Sequence, residues 1–266
     1  MWLMNPAWEL RRRESERKYF DEHGVKEAVV WDADKTKWKS YLVLDGKKYN
    51  PESLMPDAYK AKAKEYLKSA AKGEHSPSGR FVFLHIVHPR GEPLNLYQPG
   101  TKVGSVRFTT NVNIPCLLEW NRARTDATTW MSLTPSEMIT QRNGIRMAKG
   151  EVVVYGLGLG WFLSRVCAKK SVTKVTVVEK EREIIDWLKP KILALYPQTQ
   201  KVVDWVCADA YEYAGTAPQD DSRTHLFDIW PGFKDAPWDD KFQKLKAKLT
   251  RIWGWGDHYV KELHGW

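Results

Sequence analysis

Hydrophobic and polar positions follow different patterns in the two halves of the chain. In the first half, short runs of apolar residues are separated by polar turns. Strands are predicted there at 27–32, 38–44 and 80–88. Helices are predicted at 8–23 and 57–72, because each helical pattern ends before a glycine. Residues 91–115 carry glycine and proline throughout and predict loops and short strands. We therefore expect an α+β region over 1–133, forming a substrate or interaction part.

From residue 151 onward, continuous apolar runs alternate with helical patterns. The predicted strands are 152–155, 174–178, 202–207 and 224–230. The predicted helices are 161–170, 181–196 and 241–252, with a helical turn at 211–213 and a preceding helix at 136–148 that Thr134 caps. Fully apolar strands between helices are typical of a parallel sheet covered on both faces. The pattern predicts a doubly wound, mostly parallel, Rossmann-like α/β domain over 134–266.

The last predicted strand leaves little chain for the rest of such a sheet. Only 38 residues follow Asp228, too few for the remaining strands of a seven-stranded sheet. Either the sheet is curtailed at its C-terminal end or the N-terminal half completes it.

A glycine-rich turn between the first strand of this domain and its helix is the sharpest motif. Gly156, Gly158 and Gly160 alternate with bulkier residues in the segment YGLGLGW. Glycines permit a tight turn and let backbone amides approach a ligand without a Cβ in the way. Trp161 occupies the sixth place, where the dinucleotide fingerprint needs a small residue, and no GxxxxGK[ST] phosphate loop occurs.

Acidic residues end the following three strands. Glu179 ends the second strand, at the position from which an acid accepts hydrogen bonds from ribose hydroxyls. Asp209 ends the third strand and either accepts from an adenine amino group or caps the next helical turn. Asp228 ends the fourth strand and is either a proton acceptor or a carboxylate that organises the loop. Because carboxyl ends of parallel strands share one edge, these residues define one site.

The segments VVVYGLGLGW, VTVVEKEREII, VCADAYEY and HLFDIWP resemble, in order and spacing, the Rossmann-like class I S-adenosylmethionine-dependent methyltransferases, and more specifically their spermidine-synthase-like relatives. The resemblance covers residues 134–232. It implies S-adenosyl-L-methionine as cofactor, Asp228 as the catalytic residue and no metal. The cofactor-binding residues that it implies are Glu137, Gly156, Leu157, Gly158, Gly160, Glu179, Lys180, Asp209 and Ala210.

The sequence also departs from this family. Trp230-Pro231-Gly232-Phe233 replaces the aspartate-rich loop of an aminopropyltransferase, and the NPPY or DPPY signature of amino-directed DNA methyltransferases is missing. Three functions stay open: a methyltransferase with an unidentified acceptor, a polyamine-type aminopropyltransferase, and a non-catalytic nucleic-acid-binding protein on a decayed methyltransferase fold.

Composition bears on partners and compartment. The 266 residues carry a net charge of +9, which permits an anionic partner such as nucleic acid without requiring one. Three widely spaced cysteines and no visible export signal favour the cytoplasm, and no apolar run is long enough for a membrane span. Among the 14 tryptophans, Trp253, Trp255 and Trp266, with Tyr259, either stack on bases or close the domain. Oligomeric state is not predicted.

Overall fold

A computed structural model describes residues 26–32, 37–44, 47–49, 69–96, 104–124, 127–218, 221–230, 236 and 239–257. The helix predicted at 8–23, most of the helix predicted at 57–72, and Tyr259 and Trp266 lie outside the described residues.

Three antiparallel strands form the first sheet. They are β1 (Lys26–Asp32), β2 (Lys37–Leu44) and β3 (Lys47–Tyr49), in that order. The strands predicted at 27–32 and 38–44 are therefore confirmed to within one residue.

A second antiparallel sheet follows. The next six strands are β4 (Glu74–His75), β5 (Phe81–His88), β6 (Pro93–Leu96), β7 (Gly104–Arg107), β8 (Val112–Trp120) and β9 (Ala127–Ser132). Strands β4, β5, β8 and β9 pair in that order, and β6 pairs with β7. The prediction for 80–88 is confirmed by β5. Sequence analysis missed β9 and the length of β8.

The second half forms a five-stranded parallel sheet. Its elements are α1 (Pro135–Thr140), α2 (Arg142–Met147), β10 (Gly150–Tyr155), α3 (Trp161–Cys167), β11 (Val172–Glu179), α4 (Arg182–Leu195), β12 (Val202–Cys207), α5 (Ala210–Gly215), β13 (Thr224–Phe227), α6 (Asp240–Lys248) and β14 (Ile252–Gly254). The strand order is β12-β11-β10-β13-β14, and every neighbouring pair is parallel. The structure is thus mixed α/β, with a parallel sheet consistent with a Rossmann-like fold.

Several predicted boundaries are wrong. The helix predicted at 136–148 is two short helices, α1 and α2, although Thr134 caps α1 as predicted. The helix predicted at 161–170 ends at Cys167, and the strand predicted at 224–230 ends at Phe227. The helix predicted at 241–252 ends at Lys248, because Ile252 begins β14 and pairs with β13.

The parallel sheet has fewer strands than the seven-stranded sheet mentioned in the sequence analysis. Among the described residues it has five strands, and the N-terminal strands form sheets of their own. Within the described residues, the sheet is therefore curtailed, and the N-terminal half does not complete it.

The two halves of the chain share a hydrophobic core. Phe81 and Leu117 of the antiparallel sheet belong to the same buried cluster as Val153 and Tyr155 of β10. An ion pair joins them at the surface, where Arg80 Nη1 lies 2.7 Å from Glu181 Oε2. The boundary at 133/134 stays a prediction.

Two C-terminal tryptophans close this core rather than stack on bases. Trp253 is 3% exposed and packs against Phe162, and Trp255 is 8% exposed. Trp255 Nε1 donates to Thr140 Oγ1 at 2.9 Å. These contacts seat α1 and α2 on β14, and α1 carries part of the candidate site.

Candidate functional site at the carboxyl edge of the parallel sheet

The glycine turn follows β10 directly and has left-handed backbone angles at all three glycines. The φ values are 90° at Gly156, 51° at Gly158 and 77° at Gly160. A Cβ on Gly156 would lie 2.3 Å from the carbonyl oxygen of Asp228. Glycine is therefore required at 156 both by its backbone angle and by the close approach of the β13 end. This approach brings Asp228 beside the turn.

Glu179 holds the turn from the neighbouring strand. Its Oε2 accepts from the Leu157 amide at 3.0 Å, and its Oε1 accepts from the Glu181 amide at 3.0 Å. Burial raises the pKa of Glu179, while these two amides lower it. Leu157 itself is 4% exposed. Each carboxylate oxygen has a further lone pair, so the same group can also accept from a ligand hydroxyl.

Asp228 is held by a buried glutamine. Gln141 Nε2 donates to Asp228 Oδ2 at 2.6 Å, and Gln141 is fully buried. Burial raises the pKa of Asp228 to about 7, although the Gln141 hydrogen bond lowers it. A carboxylate with this pKa can both accept and release a proton at neutral pH.

Glu137 provides a second carboxyl group at the same place. Burial and, next, the charge of Asp228 raise the pKa of Glu137 well above its usual range, while hydrogen bonds from Ser132 lower it. Because Asp228 and Glu137 repel each other when both are ionised, a proton or a cation beside them would be favoured.

Gln141 was missed by sequence analysis. It follows Glu137 by four residues, and this spacing on a helical segment places both side chains on one face. Its Oε1 is buried and has no hydrogen-bond partner among the described residues. A buried acceptor of this kind is satisfied by a donor from outside the chain or by a protonated neighbour.

Asp209 caps α5, as one of its two interpretations predicts. Its Oδ1 accepts from the amides of Tyr211 at 2.9 Å and Glu212 at 3.1 Å. Within the described part of the chain, Oδ2 makes no hydrogen bond, so the capping interaction leaves it for a ligand. Ala210, the first residue of α5, is buried.

Lys180 lies on the outer side of this edge. Its side chain is exposed, and its Nζ lies 5.3 Å from the centre of the Trp130 ring in β9. The strand order brings the ends of β12, β11, β10 and β13 side by side. The structure therefore gathers the predicted residues along one sheet edge.

One side chain occupies the space that the sequence predicts for a ligand. A Cβ on Gly158 would lie 2.4 Å from Met131 Sδ, which is 2.7 Å from the Leu159 amide nitrogen. β9, which sequence analysis missed, places Met131 against the turn in this conformation. No motif in the sequence marks Met131.

Other kinds of site are not found among the described residues. That part of the chain contains no cluster of three or more His, Cys, Asp or Glu side chains able to hold a metal ion. It also contains no helix long and apolar enough to cross a bilayer.

Comparisons with known proteins find weak similarity to solved structures. No protein-family model and no curated protein sequence matches the chain. Among solved structures, the precorrin 8w decarboxylase of Methanobacterium thermoautotrophicum is 19% identical with a TM-score of 0.31, over 44% of this chain and 60% of that protein. The spermidine synthase of Thermotoga maritima is 12% identical with a TM-score of 0.37, over 67% of this chain and 71% of that protein.

Proposed function

We propose that the chain is an S-adenosyl-L-methionine-dependent methyltransferase with its cofactor at the carboxyl edge of the parallel sheet. The observation that carries this proposal is a half-buried carboxyl group, Asp228, which is held against the glycine turn that follows β10 and whose pKa burial raises to about 7. When bound, the cofactor supplies an electrophilic methyl group on a positively charged sulfur.

Two half-buried carboxyl groups account for the preference for a cationic ligand. The charge of Asp228 raises the pKa of Glu137, and a positive charge beside the two groups would relieve that repulsion. Gln141 Oε1 adds a buried acceptor without a partner among the described residues. These three groups fit a sulfonium nucleoside with an ammonium group better than they fit an anionic nucleotide.

The remaining residues would hold the rest of the cofactor. In this proposal the turn residues Gly156, Leu157, Gly158 and Gly160 contact its amino-acid part, and Glu179 accepts from the ribose. Asp209 accepts from the adenine through Oδ2 while Oδ1 keeps capping α5, and Ala210 lines the same place. Lys180 and Glu137 flank the site. Met131 leaves the space over Gly158 when a ligand contacts the turn.

Asp228 is the proton acceptor in this proposal. An acceptor substrate that carries a proton on its nucleophilic atom must lose it during methyl transfer. Asp228, ionised above its pKa of about 7, takes that proton, and Gln141 keeps the carboxylate oriented. The acceptor itself is unidentified, with nucleic acid, protein and small molecules as the classes considered. A cytoplasmic location is part of the same proposal.

Aminopropyl transfer is the second candidate, favoured by one observation. A cationic amine acceptor needs more than one carboxylate near Asp228, and the aspartate-rich loop that would supply them is absent from the sequence. Glu137, whose pKa the charge of Asp228 raises, provides a second carboxyl group from α1 instead.

Titration calorimetry with S-adenosylmethionine, decarboxylated S-adenosylmethionine and NAD separates these functions. We expect the first to bind, more tightly at pH 8 than at pH 6 by roughly fivefold, because ionised Asp228 attracts the cation. Asp228→Asn should remove this pH dependence, whereas Asp204→Asn, an exposed carboxylate on β12, should leave it unchanged. Tighter binding of the decarboxylated form would support aminopropyl transfer. Binding of none would support a non-catalytic protein.

A further inference from the structure

Basic residues line the opposite edge of the parallel sheet, where its strands begin. Each of the five strands is preceded, within two residues, by a lysine or an arginine. In the order of the strands across the sheet, these residues are Lys201, Lys170, Lys149, Arg223 and Arg251. We call this set the amino row. Neighbouring strands lie about 4.8 Å apart, so the row extends over roughly 19 Å.

Hydrogen bonds between the segments that bear the row show that it is continuous. Lys201 Nζ donates to the carbonyl of Lys169 at 2.8 Å, next to Lys170. The Gly150 amide, next to Lys149, donates to the carbonyl of Ser171 at 2.7 Å.

The other end of the row is joined in the same way. Thr224 Oγ1, next to Arg223, donates to the carbonyl of Lys149 at 3.0 Å. The His225 amide donates to the carbonyl of Arg251 at 2.7 Å. The five basic residues are therefore neighbours in space as well as in strand order.

The ends of helices and the start of β11 add more positive charge beside the row. Arg146, Arg165, Lys169, Lys174 and Lys248 lie near the starts of the same strands. Some of these charges stabilise helix ends, since Lys169 Nζ donates to the carbonyls of Ile145 and Arg146 and Lys248 Nζ donates to that of Gly215. These hydrogen bonds fix the positions of the Lys169 and Lys248 ammonium groups and do not neutralise their charge.

Few acids balance this charge. Glu151 pairs with Lys174, and Asp221 pairs with Arg223. Asp204 is the other acid in the first residues of these strands. Lys149, Arg165 and Lys170 are exposed and make no ion pair within the described part of the chain, so charge balance does not account for them.

We propose that the amino row is a docking surface for the phosphate backbone of a nucleic acid. A linear row of cations complements a linear polyanion, and release of counterions from the phosphates drives such binding. This surface lies at the opposite end of the strands from Asp228. A nucleic-acid strand bound to the amino row does not present its bases to the candidate site. Binding there is therefore independent of the proposed methyltransferase activity.

Fluorescence anisotropy of the full chain with labelled 20-nucleotide single-stranded and duplex DNA tests this inference. A variant with Lys149→Gln, Arg165→Gln and Lys170→Gln removes three unpaired cations from the edge. The control, with Lys72→Gln, Arg90→Gln and Arg122→Gln, removes three exposed cations from turns next to the antiparallel sheet. Both variants lower the net charge equally, and thermal melts check that both are folded.

We expect the edge variant to bind at least about tenfold more weakly and the slope of log Kd against log salt to fall by about 2, since each lost phosphate contact removes about 0.7–0.9. The control should bind within about twofold of the native chain. Equal weakening in both variants would show that only the net charge matters, and absence of binding would equally overturn the proposal. Vesicles containing phosphatidylserine are the third probe, because the exposed Leu195 and Val203 lie near Lys201. Binding to vesicles but not to DNA would contradict the proposal.

Discussion

The two edges of the parallel sheet differ in the sign of their charge and in its burial. At the carboxyl edge, Glu179 is buried and Asp228 half-buried, and burial raises the pKa of both. At the amino edge, Lys149 and Lys170 are exposed. Helices of a parallel α/β fold begin at the first edge and end at the second, so their dipoles favour this separation. The dipoles do not require the charged groups of either edge to be buried. The burial of Glu179 and Asp228 therefore distinguishes the candidate reaction site at the carboxyl edge from the proposed docking surface at the amino edge.

Gly156→Ala should give the largest effect of the changes considered. The new Cβ would lie 2.3 Å from a backbone oxygen at a φ of 90°, so we expect a loss of about 4 kcal/mol in the free energy of unfolding, or failure to fold. Gly215→Ala is the matched control, because a Cβ there meets nothing within 4 Å. Urea denaturation of both variants measures the difference. Equal stabilities would show that the ends of β10 and β13 are not locked together.

Asp228→Asn should stabilise the protein in a pH-dependent way. The pKa of about 7 in the folded state lies above the pKa of Asp228 in the unfolded chain. The native protein therefore loses stability as the pH rises from the unfolded-state pKa to the folded-state pKa, and loses no more above pH 7. Asparagine removes that loss. We expect a gain of about 2 kcal/mol at pH 8 that shrinks toward pH 5, measured by urea denaturation at both pH values. A gain that is the same at both pH values would mean that the pKa of Asp228 is not raised.

Asp209 sharpens the comparison, because capping and ligand binding use different oxygens. Asp209→Asn keeps the cap on α5, so the free energy of unfolding should stay within about 0.3 kcal/mol, whereas Asp209→Ala should cost about 1 kcal/mol. The asparagine places an NH2 group where Oδ2 lies. Calorimetry should therefore show S-adenosylmethionine affinity about fivefold lower, if the adenine amino group is bound there. If Asp209→Asn binds S-adenosylmethionine as tightly as the native chain, Asp209 caps α5 and does not contact the adenine.

Met131→Ala should give the smallest effect. Removing the side chain over Gly158 ends its competition with a ligand, so S-adenosylmethionine should bind about threefold more tightly. Met131→Leu keeps the space filled and should bind like the native chain. Equal affinity of the alanine and leucine variants would show that Met131 does not block the turn.

The parallel sheet could be predicted from sequence because its signals are local. The apolar run at 152–155 in β10, and the glycine run directly after it, specify a buried strand and the turn that follows it. The strand ends then place Glu179, Asp209 and Asp228 on one edge without further information.

The N-terminal half was harder because its pairing is not local. Pro115 favoured a loop, yet it lies inside β8 opposite His85. A proline fits there because pairing with β9 begins only at Cys116, so Pro115 has a neighbouring strand on one side. Met131 reaches the site from β9, and Gln141 reaches it from the junction between α1 and α2. No sequence motif specifies either contact.

Carboxyl ¹³C NMR titration of Asp228, with and without S-adenosylmethionine, tests the central claim most directly, with Asp228→Asn identifying the signal. We expect a pKa of about 7 for the free protein and a lower pKa with the cofactor, because a bound cation favours the ionised carboxylate. An ordinary pKa near 4 in the free protein, or a pKa that the cofactor leaves unchanged, would contradict the account.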